Sequence, residues 1–348
     1  MPALRVLFLA DSHLGFDLPL RPRVQRRRRG HDFLANYALA LEPALRGDVD
    51  IVVHGGDVFD RPDVDAVLAY QAFEPLRRIA QGGIPVFIVP GNHERSRLPH
   101  VRFAAHPNVH IFDHPRTFVL NAAGHRVALA GFPYERRNLR TRFGEILERT
   151  GWRREAADVR LLCVHHCVEG ATVGPQNFTF RSNPDVIRIR DIPAAFNALL
   201  SGHIHRHQVL TTDLRRQPVD VPVLYPGSIE RTAFAEIGEE KGYLLLQVDG
   251  GRTHWQFRRL PARPMLAETI SISGSLTAVQ FEQRVRALIA AAPVDAVLSI
   301  RCQGAWTEAH GRVVTAQRLR SYAPASMNVE VWISDKRAAG VRPRLSVY

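Results

Sequence analysis

Apolar residues along this chain come in short continuous runs, each cut off by glycine, proline or polar residues. The clearest are RVLFLA (5–10), DIVVH (50–54), VFIVP (86–90), RVALAGF (126–132), RLLCVH (160–165) and ALLSG (198–202), with VPVLYPG (221–227) after them. Runs this short and rich in Val, Ile and Leu predict buried strands. Between the early ones the period changes. In 31–46 and 64–81 apolar residues recur at helical spacing, and Asp63 stands where a cap for the second helix is expected. Strand, helix and strand in alternation predict an α/β domain whose helices cover a largely parallel sheet.

From about residue 262 the texture changes. LPARPM (260–265) is a proline-rich hinge. After it come a predicted strand (266–272), an amphipathic helix (277–291), a strand (294–301), a short helix (315–322) and a strand (327–333). The longer helix carries Phe281, Val285, Leu288 and Ile289 on one face. The expected organisation is a large domain over 1–261, a small α+β domain over 262–335 and a tail over 336–348. No residue of the small domain has an obvious chemical role.

The chain has 348 residues, enough for both domains. Hydrophobic residues make up 45% and charged residues 23%, the balance of a globular protein. The three cysteines, Cys163, Cys167 and Cys302, are too few for a disulfide framework and point to a reducing compartment. The first apolar run is interrupted by Asp11 and is too short for a signal or membrane segment. The expectation is a cytoplasmic protein with no membrane contact. The formal net charge of +12 favours polyanionic partners, nucleic acid first. Part of that surplus is local, because RPRVQRRRRG holds six arginines between Arg21 and Arg29. The run lies between a predicted strand and a predicted helix, which makes Arg26, Arg27, Arg28 and Arg29 candidate phosphate contacts.

Chemistry-bearing residues gather just after the strands. Asp11 and His13 follow the first, Asp57 and Asp60 the second, Asn92 and His93 the third. His165 and His166 end a later one, and His203, His205 and His207 follow the next. In open α/β sheets ligands bind beyond the carboxyl ends of the strands, so five such ends predict one shared site. Imidazole, carboxylate and amide oxygen together suit manganese, iron or zinc better than calcium or a thiolate metal. The donors exceed what one ion accommodates. Two ions sharing a carboxylate fit better, and such a pair clamps a phosphate ester. Neighbours on a strand point to opposite faces, so only one of His165 and His166 enters. Cys163 and Cys167 lie within or just after an apolar strand and read as buried residues. Gly55, Gly56, Gly91 and Gly202 allow close backbone approach.

In this order the elements resemble the calcineurin-like metallophosphoesterase superfamily, whose pattern is Asp-x-His, Gly-Asp-x-x-Asp, Gly-Asn-His-Glu, His, and Gly-His-x-His. DSHLG (11–15), GGDVFD (55–60), SGHIHR (201–206) and YPGSIERTAFAE (225–236) look like the SbcD-type DNA repair exonucleases, over roughly residues 3–262. The resemblance implies a β-sandwich flanked by helices, followed by a small α+β domain similar to a DNA-capping domain. It implies that Asp11, His13, Asp57 and His205 hold one divalent ion, and Asp57, Asn92, His165 and His203 a second. Manganese is the first choice, with iron or zinc as alternatives. His93 then sits over the scissile phosphate, stabilising the transition state or protonating the leaving oxygen. Asp60, or as the alternative Glu94, orients it, and His207 is a rim or phosphate contact. The implied reaction is hydrolysis of DNA backbone phosphodiesters by metal-bridged hydroxide, as an exonuclease or endonuclease of DNA repair. The alternative is a small-molecule or protein phosphoester on the same metals. The family also implies an SbcC-type ATPase partner and a homodimer. Only about fifteen residues follow the last predicted strand. The expectation is therefore that such an ATPase binds differently from its counterparts in the family.

Overall fold

The first apolar run forms a strand, β1 (Leu4–Leu9), buried at every position but one. Its side chains alternate between two apolar environments, and this alternation sets the architecture. The structure is a computed structural model, and it describes residues 2–19, 22, 24–249, 251–334 and 344–346. The chain divides into two units, one of residues 1–16 and 33–261, the other of 17–32 and 262–348.

In the first unit β1 leads through α1 (Arg29–Leu45), β2 (Ile51–His54), α2 (Ala66–Gln81) and β3 (Val86–Ile88) to β4 (Val109–Ile111). These four strands pair in parallel, in order. Next come β5 (Arg116–Ala122), β6 (His125–Gly131), α3 (Leu139–Arg149) and β7 (Val159–Val164). A short hairpin, β8 (Thr172–Val173) and β9 (Phe178–Thr179), precedes β10 (Ala198–Ser201), β11 (Gln208–Thr212) and β12 (Pro218–Tyr225). The last two strands, β13 (Gly242–Asp249) and β14 (Arg252–Arg259), return beside β1 in antiparallel register. One sheet is ordered β14-β13-β1-β2-β3-β4 and the other β11-β12-β10-β7-β6-β5.

The largely parallel sheet expected from the strand and helix alternation is two mixed sheets, the β-sandwich that the resemblance implies. The reason lies in the period of two along each strand. Leu4, Val6 and Phe8 of one sheet share a core with Leu161, Cys163, Ala198 and Leu200 of the other. Leu162, Val164 and Leu199 face the opposite way, onto Phe143, Ile146 and Leu147 of α3. The result is a β-sandwich flanked by helices. α2 buries Leu68, Ala72, Phe73, Leu76 and Ile79. Its cap is Asp65, whose carboxylate accepts the N–H groups of Val67 and Leu68 at 2.9 and 3.0 Å. Asp63, expected there, stands two residues too early because the helix starts at Ala66.

In the second unit β15 (Met265–Ile272), α4 (Ala278–Ala291) and β16 (Val297–Gly304) are followed by α5 (Glu308–Val313), α6 (Ala316–Tyr322), β17 (Asn328–Ser334) and β18 (Arg344–Ser346). β15, β16 and β17 pair in parallel, and β18 adds an antiparallel edge. Thr277 and Gln280 form a capping box at the start of α4. That helix buries Phe281, Val285 and Ile289 against Ile270, Leu298, Ile300 and Val329. Of the tail expected over 336–348, residues 344–346 form β18, and the remainder lies outside the described residues.

Candidate metal centre

The loops leaving β1, β2, β3, β7 and β10 deliver polar residues to one place in the first unit. Their backbone is unusual. Asp11 (φ 50), His13 (φ 41), Asp57 (φ 50) and His203 (φ 78) all adopt left-handed conformations. Each costs on the order of 1 kcal/mol, and such outliers concentrate at functional sites. A ladder between the first two loops holds them. The N–H groups of Asp11, His13 and Leu14 donate to the carbonyls of Gly56, Asp57 and Val58 at 2.9, 3.0 and 2.9 Å. Two carboxylates also accept main-chain donors: His93 N–H reaches Asp57 Oδ1 at 2.9 Å, and His203 N–H reaches Asp11 Oδ1 at 2.9 Å. Glycine is required where the loops touch. A Cβ on Gly91 would lie 2.1 Å from Asp57 Oδ1, and one on Gly56, at φ +106, would lie 2.2 Å from His165 Nδ1.

The donor atoms then converge. His13 Nε2 and His205 Nε2 stand 3.0 Å apart. His165 Nε2 lies 3.1 Å from Asn92 Oδ1 and 3.2 Å from Asp57 Oδ2, and His203 Nδ1 lies 2.7 Å from Asn92 Oδ1. Two ligands about 2.1 Å from one ion at a right angle are about 3.0 Å apart, so these spacings suit a shared cation. The tautomers agree. His165 Nδ1 donates to the Gly55 carbonyl at 2.7 Å, which leaves its Nε2 lone pair facing two oxygen acceptors. Acceptors facing a lone pair call for a positive charge between them. Among the described residues three Asp/His groups keep their ligand atoms within 4.8 Å: Asp11, His13 and His205; His13, Asp57 and His93; and Asp11, Asp57 and His165.

The electrostatics match that donor set. Burial drives His13 well below the usual histidine range and His203 down to about 3, the neutral form that a metal needs. Burial also opposes charge on His165, but Asp57 and Asp11 outweigh it and push its pKa up to about 9. Burial raises the Asp11 carboxyl. Burial works the same way on Asp57, yet His165, His13 and His93 hold it below the usual carboxylate range. The carboxylate field favours positive charge here, whether it arrives as a proton or a metal ion.

His93 stands at the edge of this cluster, its side chain 38% exposed and its Nε2 3.9 Å from Asp57 Oδ2. Asp60 does touch it, but through the main chain: His93 Nδ1 donates to the Asp60 carbonyl at 2.7 Å. The Asp60 carboxylate lies instead 3.7 Å from His13 Nδ1 and 3.6 Å from Arg61 Nε. Glu94 is buried and straps two loops together, accepting the N–H groups of Phe59 at 2.8 Å and Gly91 at 2.7 Å. His166 faces away from His165, as strand parity dictates. Its Nε2 accepts the Glu135 N–H at 3.0 Å, and its ring stacks on Tyr134.

Other residues around the centre carried no signal in the sequence. Glu236 Oε1 lies 3.0 Å from His205 Nδ1, and buried Lys241 donates to Glu236 Oε2 at 2.6 Å. Ser12 Oγ and His54 Nε2 pair at 2.8 Å beneath the first two loops. No spacing rule connects these residues to the ligands, although Glu236 lies within YPGSIERTAFAE.

The residues expected to contact DNA are placed differently from the expectation. Arg26 belongs to the second unit, where its guanidinium donates to the carbonyls of Arg320, Ala323, Pro324 and Met327. Donors held by carbonyls are withdrawn from a phosphate. Arg28 pairs with Asp17, and Arg29 is buried. Arg27 binds Asp32 at 2.5 Å and keeps 43% of its side chain exposed. In the first unit His207 stacks face to face on Phe257, centroids 4.0 Å apart, with Nδ1 3.0 Å from the Tyr225 carbonyl.

A two-sheet sandwich whose strand ends bring imidazoles around shared carboxylates defines a class, the metal-dependent hydrolases of phosphoesters. Within it the chain belongs to the calcineurin-like phosphoesterase family, whose profile matches residues 4–207. It is 26% identical over 286 residues to the DNA double-strand break repair protein Mre11 of Aeropyrum pernix, covering 77% of this chain and 64% of that protein. To the protein of the same name from Haloferax volcanii it is 26% identical over 96% of this chain and 68% of that one. To the uncharacterized metallophosphoesterase YhaO of Bacillus subtilis it is 27% identical over 74% of this chain and 60% of that protein. The chain thus spans about two thirds of the length of these relatives. Among the described residues no helix is long and apolar enough to cross a membrane.

Proposed function

We propose that this chain hydrolyses the backbone phosphodiesters of DNA with two divalent ions, manganese first. One observation carries the reading: the donors of Asp11, His13, Asp57, Asn92, His165, His203 and His205 converge while His93 stays open to solvent at their edge. Asp11, His13, Asp57 and His205 hold one ion; Asp57, Asn92, His165 and His203 hold the other. Bound there, such ions neutralise phosphate charge and lower the pKa of water. The chain's own residues do the rest. His93 Nδ1–H donates to the Asp60 carbonyl, which turns Nε2 toward the site. In the imidazolium form Nε2 carries the proton that passes to the leaving oxygen, leaving the neutral ring with its proton on Nδ1. Main-chain donors on Asp11 and Asp57 fix both carboxylates before any ligand arrives.

The substrate class rests on two supports. A net charge of +12 favours a polyanion, and two relatives are named for DNA double-strand break repair. A second reading, a small phosphoester, is favoured by the equally distant YhaO, which is named only as a metallophosphoesterase. The test supplies manganese to metal-free protein and assays linear duplex DNA, single-stranded DNA and a chromogenic phosphodiester, beside His93→Ala. Manganese-dependent DNA cleavage that the substitution abolishes is expected. Turnover of the small diester with both DNAs untouched moves the assignment to the second reading.

A further inference from the structure

We propose that Glu236, clamped by Lys241, is a positioning residue that sets the manganese affinity of the ion site containing His205. The inference rests on His205 being a metal ligand and not on the identity of the substrate.

The geometry is closed on every side. His205 Nδ1 lies 3.0 Å from Glu236 Oε1, and the same oxygen accepts the Thr232 hydroxyl at 2.6 Å. The other oxygen, Oε2, accepts Lys241 Nζ at 2.6 Å and Thr232 N–H at 3.3 Å. Lys241 has no exposed side-chain surface, and its remaining contacts are the His205 carbonyl at 2.9 Å and Glu239 Oε2 at 3.3 Å. A fully buried ammonium is costly unless it is paired on all sides. This one is spent on the main chain of His205 and on the carboxylate that faces its ring.

The chemical consequence is specific. A carboxylate at Nδ1 keeps the proton there and leaves the Nε2 lone pair pointing at His13 Nε2, 3.0 Å away. It also makes the imidazole a stronger donor. On the other side the support differs: His165 Nδ1 donates to the Gly55 carbonyl at 2.7 Å, a neutral acceptor, and among the described residues no carboxylate pairs with that nitrogen. Carboxylate support therefore distinguishes one ion site from the other.

The test titrates the metal-free full chain with Mn2+, following bound ion by calorimetry and free ion by electron paramagnetic resonance. Glu236→Gln removes the charge, and Glu236→Asp keeps the charge for Lys241 but withdraws it from the ring. Each is expected to weaken one of the two manganese sites by about 10–100-fold and leave the other within about threefold of wild type. A merely structural role would lower the melting temperature of the metal-free protein without this selective loss. If both sites keep wild-type affinity in whichever variant folds, the inference is overturned. If wild type takes up no Mn2+, the inference is overturned together with the manganese reading. DNA cleavage is not part of the readout, so failure of the DNA assignment remains a separate result.

Discussion

At the scale of residues, His93 carries the sharpest question. It shares a donor group with His13 and Asp57, which would suit a ligand, yet its ring is the exposed one. The proposed acid role gives a definite expectation. His93→Ala should lower kcat by about a hundredfold to ten-thousandfold while Mn2+ affinity stays within about threefold. Turnover and metal titration of the same preparation check this, and a parallel loss of metal would make His93 a ligand. Gly91 makes a second case. Its added Cβ would fall 2.1 Å from a carboxylate oxygen of Asp57 and 2.5 Å from the Asp57 nitrogen, so the backbone must shift. Gly91→Ala should cost about 1–3 kcal/mol of stability and weaken manganese binding. Chemical denaturation together with metal titration measures both.

At the scale of elements, main-chain hydrogen bonds tie the loop after β1 to the loop after β2, which holds Asp11, His13 and Asp57 in a fixed relation. The arginine run shows the opposite relation between sequence and structure. Its charge suggested phosphate contacts, but Arg26 completes the carbonyls at the end of α6, and Asn328 Nδ2 donates to the Arg27 carbonyl at 3.0 Å. Arg263 gathers the same region by binding Asp32 at 3.0 Å and Asn328 at 2.7 Å. Arg26→Ala should therefore destabilise the second unit by about 1–2 kcal/mol, with DNA affinity unchanged. Denaturation curves and a binding isotherm decide it. Unchanged stability with weaker DNA binding would restore the phosphate role.

At the scale of the whole molecule, two bulk properties can be measured. A site of buried carboxylates and imidazole donors gains stability from a cation. Manganese at about a hundred times its dissociation constant should add about 2.7 kcal/mol per site, and a chelator should remove it. Thermal melts with and without metal test this. If the surplus charge serves a nucleic acid, affinity for duplex DNA should fall at least about a hundredfold between about 50 and 200 mM salt. A flat salt response would separate the net charge from substrate binding.

The sequence by itself determined the strands that lead to the candidate site and the polar residues that follow them. This was legible because strand runs are local and the loop after a strand has few residues to offer. The parity of RLLCVH put His165 and His166 on opposite faces, and the family resemblance selected His165; in the structure Leu161 and Cys163 face the inner core and Leu162 and Val164 do not. Only the tertiary structure decided the order of the strands within the two sheets, that Asp65 and not Asp63 caps α2, and that Asp60 meets His93 through a carbonyl. It alone placed Glu236 and Lys241 behind His205 and turned Arg26 onto the end of α6. Each of these depends on contacts between distant segments or on which atom of a residue is presented. A pattern of residue types along one chain encodes neither, because the energy that selects them comes from packing and from the pairing of buried polar groups.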